Sequence, residues 1–169
     1  MGLPIQAGAV AYPSRLNGLA TIGRHKAADT ALAVSSTTLQ DDPDLRITVP
    51  ASSVWIMDAV IFYSAESNAD LSIGFDVPSG ATLTWASWGF HTDIASTHTG
   101  PIKIEGRTAA QTNSIGASGG SAPLTIRPTG LLVVSTAAGD LQFMAAQNSS
   151  QASAATIRAG SWLRLDRVA

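Results

Sequence analysis

The stretch LSIGFDVPSGATLTW, residues 71–85, decides the fold. In its first half Leu71, Ile73, Phe75 and Val77 share one side of an extended chain, while Ser72, Gly74 and Asp76 share the other. That is the period of two expected of a strand with one buried face. Pro, Ser and Gly then interrupt the run, and Leu83 and Trp85 resume it. The pattern extends outward along the chain. PIKIE (101–105) sets Ile102 and Ile104 against Lys103 and Glu105, and LTIR (124–127) sets Leu124 and Ile126 against Thr125 and Arg127. Roughly ten such short strands, with turn signals at steady spacing and no long helical pattern, predict an all-β antiparallel sandwich or jelly roll.

Two runs break the alternation. VWIMDAVIFYSA (54–65) and GLLVVSTA (130–137) are apolar on both sides. A strand of an antiparallel β domain has one core to face, so a second apolar side needs another cover, and a neighbouring subunit is the simplest. Trp55, Met57, Ile61, Tyr63, Leu132 and Val134 are the expected interface residues of these runs. Asp58, a lone acid among them, should be hydrogen-bonded or at that interface. The ending SWLRLDRV (161–168) reads as one more strand, with Leu163 and Leu165 entering the core and Trp162, Arg164 and Asp166 looking outward into the interface. A chain can finish there if the strand is held on both sides.

Composition bounds the rest. The 169 residues fit one domain with a sizeable core; 45% are hydrophobic and only 13% charged. So weakly charged a surface suits a protein partly covered by partners. Net charge is −2, with +2 on residues 1–40 and −4 on the remainder, and no stretch clusters Lys and Arg with stacking aromatics, which argues against nucleic acid. Without cysteine, disulfides, thiolate metal sites and a cysteine nucleophile are excluded. No 18-residue apolar run suggests a membrane span, and the opening MGLPIQAGAVAYPSR lacks the pattern of a secretory signal, so synthesis in the cytoplasm is expected.

Residues 1–38, rich in Ala, Gly, Ser and Thr without a steady period, read as an arm with at most a short helix near HKAADTALAV (25–34), leaving 39–169 as the β domain. Residues 106–123 form the longest interruption and should be a mobile loop.

The blocks TTLQDDPDLRITVPA (37–51), SNADLSIGFDVPSGATLTW (67–85) and GDLQFMAAQNSSQASAATIRAGSWLRLDRVA (139–169) resemble a β-domain found in virion proteins of tailed bacteriophages, especially those of actinobacterial hosts. The resemblance covers roughly residues 37–169, although WGFHTDIASTHTG (88–100) does not match it. It implies a jelly roll like the tumour-necrosis-factor and complement-C1q heads, with the last strand near a threefold axis and a homotrimer as the assembly. It also implies a virion location, either as a capsid decoration protein on the outer shell, partnered by the major capsid protein, or as a tail or fibre-tip module binding a host receptor or glycan. Because the β domain is nearly the whole chain, decoration is the expectation, with Leu3, Ile5, Tyr12, Arg15, Arg24 and Lys26 of the arm as capsid contacts. Three arms on one trimer act at high effective concentration, so individually weak contacts anchor it.

Chemistry is expected to be absent: no cofactor, no metal and no catalysis. His91 and His98, with Asp93 between them, lack a third ligand, and Asp41, Asp42 and Asp44 of DDPD lack the oxygen spacing and turn glycine of a calcium loop. No nucleophile–base–orienter set can be traced. Trp88, read as a loop residue, is the best candidate for stacking on a sugar.

Overall fold

The computed structural model describes residues 20–94, 100–119 and 123–169, which form twelve strands and, among the described residues, no helix. In chain order the strands are β1 (Thr21–His25), β2 (Thr30–Ala31), β3 (Gln40–Val49), β4 (Ser53–Ser64), β5 (Leu71–Asp76) and β6 (Thr82–Phe90). They continue with β7 (Ile102–Thr108), β8 (Asn113–Ile115), β9 (Leu124–Val134), β10 (Gly139–Gln147), β11 (Thr156–Ile157) and β12 (Trp162–Arg167). One sheet has the order β1-β12-β4-β9-β6-β7, with β11 bridging β4 and β2; the other has the order β3-β10-β5-β8. All pairings are antiparallel. Consecutive strands β3, β4, β5 and β6 alternate between the sheets, so the fold is a jelly-roll sandwich, as the alternation in 71–85 predicts.

The core lies between the sheets. Leu71, Ile73, Phe75, Leu83 and Trp85 are all buried, and Phe75 meets the rings of Trp85 (5.1 Å) and Phe143 (5.6 Å) edge to face. The two core indoles keep their N–H groups bonded, Trp55 to Ser53 Oγ (2.8 Å) and Trp85 to the Thr108 carbonyl (3.1 Å). Gly130 stands opposite Met57 and Trp85; a Cβ there would lie 2.6 Å from the Thr84 carbonyl, so the β6–β9 contact needs glycine.

The ending is an interior strand. β12 is hydrogen-bonded to β1 on one side and β4 on the other, with Leu163 and Leu165 fully buried.

Four expectations are corrected. Residues 20–38 are not a free arm: Ile22 and Leu32 pack on the core, and β1 completes the sheet edge beside β12. No helix forms near 25–34, because β2 and the turns around it are tied down by Asp29, which accepts from Ala159 N (2.8 Å) and Arg158 Nη1 (2.8 Å). Residues 106–119 are built into the fold rather than looped out, since β8 pairs with β5 and buries Asn113 and Ile115. β7 points Ile102 and Ile104 outward, the reverse of the expected side.

Candidate assembly interface

The outer face of the larger sheet is where the sequence-predicted residues divide. On β4 the odd positions face the core: Trp55, Met57, Ile61 and Tyr63 are at most 1% exposed. On β9, Leu132 and Val134 do the same. These six were expected at a subunit interface and are instead inside the chain's own core, where no neighbour reaches them. The face available to a partner is the even set of β4, Val54, Ile56, Asp58, Val60 and Phe62, beside Leu131 and Val133 of β9. A signal for this choice was present: Asp58 shares its side with Ile56, and Arg127 and Thr129 share theirs with Leu131, so the polar members mark the outer face.

Trp162, Arg164 and Asp166 do look outward, on the same face. The register aligns side chains in rows across the strands. One row runs Thr21, Asp166, Ile56, Leu131, Thr84; the next runs Gly23, Arg164, Asp58, Thr129, Ala86. Trp88 lies between Arg127 and Ile104, in strand β6 rather than in a loop. Two apolar patches result. One contains Ile56, Leu131, Val133 and Val168; the other contains Trp88, Ile102 and Ile104.

A polar row separates them. Asp58 accepts from Arg127 Nε (3.3 Å) and Nη2 (3.2 Å), and Arg164 Nη2 approaches the same carboxylate at 3.5 Å. Arg164 also pairs with Asp166 (3.1 Å) and lies over the Trp162 ring at 5.8 Å. The Asp58 side chain is only 13% exposed, so its charge is matched on the sheet face before any partner arrives.

Of the expected capsid contacts, Leu3, Ile5, Tyr12 and Arg15 lie outside the described residues. Arg24 is exposed on β1. Lys26 is corrected: it is 1% exposed, and its ammonium donates to Asp42 Oδ1 (3.1 Å) and Asp44 Oδ2 (3.0 Å). That ion cluster fastens the end of β1 to β3, across the two sheets. It also accounts for DDPD, because Asp42 further accepts from the amides of Asp44 and Leu45. Asp41 is exposed.

Other titratable groups are local fixtures. His91 Nδ1 lies 3.1 Å from Asp93, and His98 lies outside the described residues. Among the described residues no three His, Cys, Asp or Glu side chains come together as metal ligands. Burial pushes the Asp70 carboxyl above its ordinary value, although it accepts from Ala117 N at 2.8 Å. Burial likewise raises Tyr63, whose hydroxyl donates to the Gly116 carbonyl. Hydrogen bonds from Lys103 and Arg107 hold Glu105 below its ordinary value.

No family model and no curated protein matches the chain. Among solved structures it is similar to the Eiger TNF of S. frugiperda, at 14% identity over 88% of this chain and 93% of that one, with a TM-score of 0.35. It is also similar to a carbohydrate-binding module of Cellvibrio mixtus lichenase 5A in complex with cellotriose, at 17% identity over 88% and 96% of the two chains, with a TM-score of 0.27. A third likeness is to the infectious bursal disease virus Gt strain, at 12% identity over the whole of this chain but 44% of that one, with a TM-score of 0.24. All three are distant likenesses of a β-sandwich jelly roll.

Proposed function

We propose that this protein is a structural component of a bacteriophage particle: a homotrimer closed through the outer face of its larger sheet, bound to the outer surface of the capsid shell and stabilising it. One observation carries the assembly half. Of the eight large apolar side chains that are exposed among the described residues, seven (Ile56, Trp88, Ile102, Ile104, Leu131, Val133 and Val168) lie on that single face. Concentration of this kind marks a protein contact, whereas scattered exposure needs no explanation. The virion half is supported by the sequence resemblance of residues 37–169 to phage β-domains. The shell gains stability by mass action, because the trimer binds the assembled lattice in preference to separate subunits. No catalysis, cofactor, nucleic acid or membrane enters this reading.

The competing reading, a tail module that grips host glycan, draws on the exposure of Trp88. The groove beside it is lined by Trp88, Gly89, Phe90, Ile102 and Thr125, which offers one side-chain hydroxyl. Sugar recognition needs several convergent polar groups, so the packing role is favoured.

The test uses assembled particles. Residues 1–19 are the segment to delete, since β1 and Lys26 belong to the sandwich. The shortened chain should keep its native mass and lose co-sedimentation with capsid shells; undiminished sedimentation would remove the arm's role. Imaging of labelled virions should find many copies over the shell, and label confined to the tail would replace this reading with the competing one.

A further inference from the structure

The two edges of the larger sheet have opposite relief. At the β6–β7 edge Trp88 (55% exposed), Ile102 (68%) and Ile104 (57%) project from the outer face. At the β1–β12 edge Gly23 stands between Thr21 and His25 and opposite Arg164. A Cβ at Gly23 would find nothing nearer than the Leu163 carbonyl at 3.8 Å. The missing side chain opens a depression of about 340 Å³, lined by Thr21, Gly23, Arg24, His25, Trp162 and Arg164.

We propose that the Trp88–Ile102–Ile104 corner of one copy seats in the Gly23 depression of the next, so that each copy gives a corner to one neighbour and receives one from the other. This inference rests on the trimer reading and specifies its contact. A closed ring needs two different, mutually complementary patches on every subunit. Corner and depression lie on one face, at opposite edges. Four strand spacings of about 4.8 Å separate β1 from β6, so a corner cannot reach its own depression. The chemistries also match. Trp162 gives the Trp88 indole an apolar neighbour, and the Arg164 guanidinium beside it suits the negative face of that ring. Tryptophan and arginine are the residue types that most often dominate the binding energy of such contacts.

The chain has no cysteine, so a Thr21→Cys/Thr125→Cys double variant, which places a thiol beside the depression and beside the corner and keeps Gly23 and Trp88, reports the contact. Its two thiols are too far apart within one chain to bridge, and any disulfide must join copies. Under mild oxidation a non-reducing gel should show a ladder ending at a covalent trimer, with neither single variant cross-linking. A trimeric native mass without cross-links would overturn the corner-and-depression contact and leave the trimer standing. A covalent dimer that grows no further would overturn the ring in favour of a reciprocal twofold pair. A monomeric wild-type chain would remove the trimer reading itself. Gly23→Trp, which fills the depression on an exposed edge, gives an independent check: the fold should be retained by circular dichroism while the assembly weakens by roughly tenfold or more. An unchanged assembly would overturn the contact.

Discussion

The two outer faces of the sandwich are built by the same device, strands with one side in the core, yet they end in opposite surfaces. On the smaller sheet several outward residues are polar and answer one another. Arg46 pairs with Asp140 at 3.0 Å, Thr48 donates to the same carboxylate at 2.6 Å, and Ser114 donates to Asn148 at 2.7 Å. The chain also covers part of that face itself, since Leu39 lies against Gly74. None of the exposed large apolar side chains among the described residues sits there. The larger sheet carries seven of them, with its charges gathered into one internally paired row around Asp58. Burial alone therefore does not distinguish the sheets; what does is which of them is left with apolar surface that water solvates poorly.

Changes that break the comparison outright act on the seam between the sheets. Lys26→Met leaves the buried Asp42 carboxylate without its cation and should lower stability by about 3–5 kcal/mol in chemical denaturation; a loss within error of zero would mean that the ion cluster does not hold β1 to β3. Neighbouring residues on β4 sharpen the comparison next. Met57→Ala empties core volume and should lose about 2–5 kcal/mol of folding stability. Ile56→Ala, one residue away on the other side of the strand, should spare folding at fixed assembly state but weaken association. Equal effects on folding would erase the distinction between core and assembly sides.

Charge placed on each face probes solvation directly. Leu131→Lys should turn the assembly into monomers without unfolding them, whereas Arg46→Ala on the smaller sheet should change stability by no more than about 1 kcal/mol and leave the mass untouched. Sedimentation of the two variants side by side reads both.

The smallest effect concerns Asp70. Burial raises its carboxyl pKa, so the ionised form is penalised in the fold; that penalty is present above the folded pKa and lifted as pH falls through it. Its φ of 52° lies in the left-handed region, which asparagine tolerates. Asp70→Asn keeps an oxygen for Ala117 N and should raise Tm slightly at pH 7, with the gain fading in acid. A gain that persists unchanged in acid would show that the carboxylate charge is not its cause.

Much of this was legible in the sequence, for a definite reason. In 71–85 and 161–168 polar and apolar residues alternate cleanly, and period two then fixes both the strand and its buried side. In 54–65 both sides are apolar, so the strand is plain but its orientation is not. The six residues expected outward face the core, because Asp58 and its arginine partner occupy the alternate positions and take the wetter side. β1, TIGRH, has no period at all and is a strand through its backbone pairing to β12, a long-range partner that composition does not announce. β7 defeated the rule from the other side: at a sheet edge Ile102 and Ile104 stay exposed beside Trp88, where a core-seeking reading turns them inward.

In the proposed assembly sister copies cover the outer face of the larger sheet. The direct measurement is the native mass of the unmodified chain by sedimentation equilibrium at micromolar concentration. The expected result is three times the 17.4 kDa of one chain. A single 17.4 kDa species, folded and soluble with that face open to water, would contradict it.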